Sequence, residues 1–228
     1  MHLLILLALA FLLFLGPSLW VKSVMARYSV PKNRYPKTGA EVARELLDAL
    51  SLQHVRTEMT ESGDHYDPAA KVVRLSRANY EGRSLTAVTV AAHEVGHAQQ
   101  DAAGFGPLRW RTRLVTWVSP IERVGAGMMM IAPFSVALTR TPMVGIFTFL
   151  GGFLTLGSGV VVHALTLPTE LDASFLRALP LLKRRKILRD GDLPRARRLL
   201  MAAALTYVAA AMQSLLNIAR WWAILRRR

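Results

Sequence analysis

Residues 85–103 read LTAVTVAAHEVGHAQQDAA, and this stretch has the composition and length of a helix. Ser84 precedes it and is a good N-cap residue, because its hydroxyl can accept a hydrogen bond from the first helical turn. Gly104 follows it and is a good stop, because glycine readily adopts the left-handed conformation that ends many helices. The sequence therefore predicts a helix with two histidines near its middle.

The His93-Glu94-Val95-Gly96-His97 run carries the strongest chemical signal in the chain. Histidines four residues apart lie on one face of a helix, where both imidazoles can reach the same ion. Glu94 projects beside them and can take a proton from a metal-bound water. The run predicts a Zn²⁺ site with Glu94 as the catalytic base. The alternative is two ordinary helix histidines beside a surface glutamate.

A third ligand for such a site has to be a histidine or a carboxylate, since the chain has no cysteine. A catalytic zinc has three protein ligands and one position for water. Glu170 is the best candidate, because Pro168 suits the first turn of a helix that would present it rigidly. Asp172 is the competitor, about 200° further round that helix, so we expect only one of the two to face the ion.

Composition predicts a mostly α membrane protein of about four transmembrane helices with a small cytoplasmic α+β metallopeptidase-like region. Of 228 residues, 52% are apolar and cluster in long uncharged stretches. The stretches 3–21, 124–138 and 143–167 suggest an anchor and a hairpin, and 199–219 suggests a fourth span or an interfacial helix. The predicted segments are the anchor 1–21, the metallopeptidase region 22–113, the hairpin 124–167, the third-ligand helix and basic segment 168–198, and the last helix 199–228.

The charge balance suggests where such a protein works. Lysine and arginine number 29 against 15 acidic residues, and they concentrate at 22–37, 109–113 and 183–198. By the positive-inside tendency, this places the active site on the cytoplasmic side of a multi-pass protein of the cell membrane. Anionic lipid headgroups are the expected partner of the basic segments. Nucleic acid is not expected, since no recognised binding motif accompanies the charges.

The region between the anchor and the histidine helix predicts a helix and a small sheet. Thr38 and Glu41 form a capping-box pattern for a helix through Leu50. Residues 55–59 and 72–75 have strand character and suggest a small antiparallel sheet, with a turn-like segment between them.

Four runs of residues together resemble the YugP-type membrane zinc metallopeptidases, whose site is gluzincin-like. The runs are Gly63-Asp64-His65-Tyr66-Asp67-Pro68, Val72-Val73-Arg74-Leu75-Ser76, Ala91 to Gln100, and Pro168-Thr169-Glu170-Leu171-Asp172-Ala173-Ser174. The resemblance implies that His93 and His97 are zinc ligands, Glu94 the base and Glu170 the third ligand. Many gluzincins have an aspartate that supports a metal-binding histidine where this chain has Ser174, and a hydroxyl raises ligand basicity less than a carboxylate does.

His65 and Tyr66 allow two interpretations. In the functional one, strand 72–75 is an edge that pairs with a peptide backbone, and His65 or Tyr66 stabilises the oxyanion of the transition state. In the other, the segment is a turn in which Asp64 and Asp67 bond their own backbone.

The leading hypothesis is a membrane-embedded zinc endopeptidase that cleaves a peptide or membrane-protein substrate with a metal-activated water. The alternative is a non-catalytic, membrane-anchored metal-binding scaffold or partner-binding protein. It predicts a closed site with four protein ligands, the fourth being Asp172 or His163.

Overall fold

The computed structural model describes residues 2–212, which include eight bounded α-helices, one π-helix, three strands and a further helical stretch at 206–212. Two compact units are present: a sheet unit of residues 19–109 and 167–206, and a helical unit from the described parts of 1–18, 110–166 and 207–228. The elements in chain order are α1 (His2–Tyr28), α2 (Gly39–Ala49), β1 (Arg56–Thr60), β2 (His65–Asp67), β3 (Val72–Ser76), α3 (Arg77–Tyr80), α4 (Leu85–Ala102), α5 (Gly106–Thr139), α6 (Pro142–Leu171), the π-helix (Asp172–Ala178), α7 (Leu179–Arg184) and α8 (Leu193–Ala204).

The two helices predicted from their caps are confirmed. Thr38 and Glu41 form the reciprocal capping box at the start of α2. The Ser84 hydroxyl accepts a hydrogen bond from the Ala87 N–H at the start of α4. Just beyond the end of α4, Gly104 has φ +65°, the left-handed conformation expected of a stop.

The sheet has the strand order β1-β3-β2, which differs from the predicted antiparallel pair. β3 is parallel to β1 and antiparallel to β2, so the antiparallel pairing of the two predicted strands is wrong. The reason is a third strand in the segment expected to be a turn: β2 returns along β3 and leaves β1 on the other side. β3 is consequently the central strand, and the prediction that it is an edge for a substrate is also wrong. The edges are β1 and β2.

The core of the sheet unit packs α4 between other helices and the sheet. Apolar side chains of α2, including Leu46 and Leu47, are fully buried in one cluster with Val88 and Val95 of α4. α4 also approaches the π-helix so closely that a Cβ on Gly96 would lie 2.6 Å from the carbonyl oxygen of Ala173. Only glycine fits there, so the residue between the two histidines brings their helix against the π-helix that follows α6.

The prediction of about four transmembrane helices is wrong. Among the residues that the structure describes, no helix is both long enough and apolar enough to cross a membrane. A crossing needs about 20 apolar residues in one helix. α8, where the last predicted span begins, has 12 residues. Residues 213–228 of the predicted last helix lie outside the described part. The fold is therefore α-rich with a small sheet.

Candidate metal centre

Three buried side chains of the sheet unit converge on one point. α4 contributes His93 and His97, and the last turn of α6 contributes Glu170, which is 1% exposed. The Nε2 atoms of both histidines lie 3.2 Å from Glu170 Oε2. All three ligand atoms lie within 4.8 Å of one another, which is the arrangement of a metal-binding group.

The Nδ1 atom of His93 is held by Ser174 of the π-helix. Ser174 Oγ lies 3.0 Å from His93 Nδ1 and 3.1 Å from the carbonyl oxygen of Leu200 in α8. A carbonyl oxygen can only accept, so the hydroxyl donates its hydrogen to Leu200 and accepts from the Nδ1–H of His93. The proton of His93 is thereby assigned to Nδ1, and its Nε2 lone pair faces Glu170. Ser174 thus bonds a candidate ligand, in the position where many gluzincins have an aspartate.

The Nδ1 atom of His97 is held by Gln100, one turn further along α4. Gln100 Oε1 lies 2.9 Å from His97 Nδ1, so an amide oxygen accepts the Nδ1–H bond. The Gln100 amide nitrogen donates to the carbonyl oxygen of Thr169 and to Asp172 Oδ2. His97 therefore presents its Nε2 lone pair to Glu170, as His93 does.

This donor set fits a divalent cation. Burial by itself raises the pKa of Glu170, whereas His97 and His93 in their protonated form bring the pKa below its ordinary value, so positive charge at this point favours the ionised carboxylate. With both ring protons on Nδ1, two lone pairs and a carboxylate would repel one another unless a cation joins them. Two imidazoles and one carboxylate are a known ligand set of catalytic zinc.

Asp172 lies outside this group. Its Oδ2 atom accepts hydrogen bonds from the amide of Gln100 and, at 2.6 Å, from Arg177 Nε. The guanidinium of Arg177 also stacks over the ring of Phe105, 5.4 Å from the centroid. The carboxylate of Asp172 is therefore held behind the amide of Gln100, while Glu170 faces the imidazoles.

Gln100 was not among the residues predicted from the sequence. Its signal was its position three residues after His97, which places the two side chains on one face of the helix. Glu94 is where the sequence predicts it, directly after His93 in α4, and is 5% exposed. The side chain of His163 lies outside the described part of the structure.

The hydrogen bonds of His65 and Tyr66 lead away from the metal group. The Tyr66 hydroxyl donates to Asp101 Oδ2 at 2.7 Å, and burial followed by this bond raises its pKa. His65 Nδ1 lies 2.9 Å from the carbonyl oxygen of Gly63. Asp67 accepts from two N–H groups of the following turn, as the non-functional interpretation expects. Tyr66 joins strand β2 to the end of the histidine helix.

A buried group of two helix histidines and a glutamate from a later helix defines a protein of the zinc metallopeptidase class. The model of the family described as "Putative neutral zinc metallopeptidase" matches residues 3–226, and the chain belongs to this family. It is similar to the protein named "Putative membrane protease YugP" of Bacillus subtilis (strain 168), with 36% identity over 214 residues, 91% of each chain. No solved structure matches it. The resemblance to the YugP-type proteins and the expectation of zinc as cofactor are confirmed.

Proposed function

We propose that the chain is a zinc-dependent endopeptidase in which His93, His97 and Glu170 hold the metal and Glu94 is the catalytic base. The observation that supports this most directly is the convergence of three ligand atoms within 4.8 Å while both histidine Nδ1 positions are engaged elsewhere. That arrangement aims two lone pairs and one negative charge at the same point.

The chemistry follows from these side chains. Zinc, when bound, polarises the scissile carbonyl and acidifies a water molecule. The Glu94 carboxylate takes a proton from the attacking water, whose oxygen forms a bond to the carbonyl carbon. The same carboxyl group then gives that proton to the leaving nitrogen as the C–N bond breaks. Gln100 and Ser174 bond the Nδ1 atoms of His97 and His93 and so orient the two imidazoles.

A peptide or a segment of a membrane protein is the proposed substrate. The edge strands β1 and β2 can each pair with an extended peptide backbone, which gives affinity with little sequence preference. β2 is the better candidate, because the bond from Tyr66 to Asp101 ties it to the helix that carries the histidines. The central strand β3 has partners on both sides.

We also propose that the protein works at the cytoplasmic face of the cell membrane, in contact with anionic lipid headgroups. The relative from Bacillus subtilis is named a membrane protease. The helical unit exposes large apolar side chains, up to 75% for Trp117 and 87% for Leu138. Lipid contact would cover such a surface, and the excess of basic residues suits anionic headgroups. We expect the protein to co-sediment with vesicles of anionic lipid but not with vesicles of neutral lipid. Sedimentation with neither kind of vesicle, or equal sedimentation with both, contradicts the proposal.

The test of the catalytic proposal is Glu94→Gln, which keeps the size of the side chain and removes the base. We expect cleavage of a peptide library to fall by about 10²- to 10⁴-fold while one zinc per chain is retained. Glu81→Gln is the matched control, because Glu81 is an exposed carboxylate paired with Arg77. Removing zinc with a chelator should abolish cleavage in all variants. Wild-type cleavage by Glu94→Gln contradicts the mechanism.

One observation favours the alternative of a non-catalytic metal-binding scaffold: the metal group is almost fully buried. A structural zinc site is closed by four protein ligands. X-ray absorption of the zinc-loaded protein separates the two, since a peptidase needs three protein ligands and one water. Four protein ligands, together with no cleavage of any peptide, would support the scaffold.

A further inference from the structure

We infer that Gln100 is a positioning residue that fixes the tautomer of His97 and links it to the backbone that carries Glu170. The inference rests on the proposed function only in taking His97 and Glu170 as zinc ligands. Gln100 acts on the ring proton of His97 and on the strength of zinc binding, without a contact to the substrate.

Every polar atom of the Gln100 amide has a partner. The side chain is fully buried, with 0% exposure. Its oxygen faces His97 Nδ1 at 2.9 Å, and its nitrogen donates to the Thr169 carbonyl oxygen at 2.8 Å and to Asp172 Oδ2 at 2.7 Å. An amide nitrogen has two hydrogens, so both are used.

These partners allow only one orientation of the amide. If it were rotated by 180°, its oxygen would face the Thr169 carbonyl and the Asp172 carboxylate, which are both acceptors. Its nitrogen would then face His97. Because burial excludes water that could compensate, that orientation leaves two acceptors opposed. The observed orientation makes the amide oxygen an acceptor for His97, so the ring proton has to be on Nδ1.

The same amide connects the two helices that bring ligands to the metal. His97 lies in α4, and Thr169 is the residue before Glu170 in α6. A shift of Glu170 relative to His97 therefore has to stretch the bond from Gln100 to Thr169. Asp172 adds a negative charge behind the amide, itself held by Arg177. A charged acceptor strengthens the hydrogen bond and polarises the amide oxygen that holds His97.

The first test reads the tautomer directly. The ¹⁵N shifts of the histidine ring nitrogens in metal-free protein at pH 8 distinguish Nδ1–H from Nε2–H. We expect His97 to carry its proton on Nδ1 in the wild type and to lose that preference in Gln100→Leu. A wild-type His97 with its proton on Nε2 overturns the inference, whatever the protein does to peptides.

The second test measures zinc affinity by competition with a chelating dye. Loss of a partner that orients a histidine ligand typically weakens metal binding by about 10- to 100-fold, and we expect this for Gln100→Leu. Gln99→Leu is the matched control, because it changes the same side chain at the next position. The buried Gln99 Oε1 has no hydrogen-bond partner among the described residues, so its removal should leave zinc affinity unchanged. Wild-type affinity in Gln100→Leu contradicts the inference.

A pair of charge-exchanging variants covers the case in which Gln100→Leu fails to fold. Gln100→Glu loses both donated bonds and places a carboxylate against Asp172 and the Thr169 carbonyl oxygen. We expect this repulsion to outweigh the higher basicity that a carboxylate gives His97, so zinc binding should weaken. Adding Asp172→Asn restores an amide–carboxylate hydrogen bond with the donor on the other side, so part of the affinity should return. Equal zinc affinity in the single and the double variant overturns the link through Asp172. If the wild type binds no zinc, the proposed function fails, and the tautomer measurement still decides the role of Gln100.

Discussion

Asp192 and Glu170 are both buried carboxylates of the sheet unit, but their surroundings differ in kind. Asp192 accepts two hydrogen bonds at 2.7 Å from Arg34, one at 2.9 Å from Arg195 and one at 2.6 Å from the Tyr35 hydroxyl. Glu170 faces the unprotonated nitrogens of two imidazoles. Arginine side chains and a tyrosine hydroxyl surround the first carboxylate, whereas the second forms a metal-binding group with two imidazoles.

The pKa values of the Asp192 cluster agree with a structural role. Burial would raise the pKa of Asp192, but the hydrogen bonds from Arg34 and its neighbours lower it to about 2. Burial and then the bond to Asp192 raise the pKa of Tyr35 to about 12. This cluster ties the segment before α2 to the start of α8. A buried charge alone therefore does not identify a functional site, and the hydrogen-bond partners of the charged group have to be considered as well.

The largest expected effect comes from Glu170→Gln, which removes the charge and keeps the shape. At a zinc concentration of 1,000 times the dissociation constant, zinc stabilises the wild type by about 4 kcal/mol. We expect the variant to lose most of this gain and to purify with little zinc, as measured by thermal unfolding and metal analysis. In chelator at pH 8, the variant should be no less stable than the wild type, because a buried charge has been removed. If Glu170→Gln binds zinc with wild-type affinity, Glu170 is not a zinc ligand and the contrast with Asp192 is wrong.

Asp192→Asn should have the opposite pattern. It leaves the guanidinium of Arg34 without its carboxylate. Breaking a fully buried ion pair costs about 3 kcal/mol, and since a quarter of the Arg34 side chain is exposed, we expect the loss to be no larger than this. We expect this loss of unfolding free energy in denaturant titrations with and without zinc, while zinc stoichiometry stays at the wild-type value. If Asp192→Asn loses zinc without losing stability, Asp192 does not have the structural role assigned to it.

A smaller effect, of about 2 kcal/mol, is expected from acid. The folded-state pKa of Asp192 is depressed to about 2 from an ordinary value of 3.8, so its stabilisation is present above pH 3.8 and is lost as the pH falls towards 2. The stability difference between the wild type and Asp192→Asn should shrink over that window in metal-free protein. A difference that stays constant down to pH 2 contradicts the depressed pKa.

The features of the site that could be predicted from the sequence are those that depend on residues close together in the chain. The helix caps at Thr38 and Ser84 and the placement of His93 and His97 depend on spacings of three or four residues. Glu170 followed from the need for a third ligand and from the family resemblance. The partners Gln100 and Ser174 depend on how α4, the π-helix and α8 pack, which no local pattern shows.

The predictions that were wrong concern features that depend on residues far apart in the chain. The parallel pairing of β1 with β3 arises because the short strand His65–Asp67 takes the other side of β3, and three residues carry too little periodicity to reveal a strand. The transmembrane prediction was based on long uncharged apolar stretches of the sequence. Among the described residues, the helices do not combine sufficient length with sufficient apolar character.

The hydrogen bond from Ser174 to Leu200 determines which substitutions the metal centre can tolerate in α8. The acceptor on α8 is a main-chain carbonyl, so no substitution at Leu200 can delete it. Related chains can therefore vary the side chain at this position while preserving the hydrogen bond. As long as Ser174 is kept, only a displacement of the α8 backbone breaks it, so the orientation of His93 depends on the position of a helix that contributes no ligand.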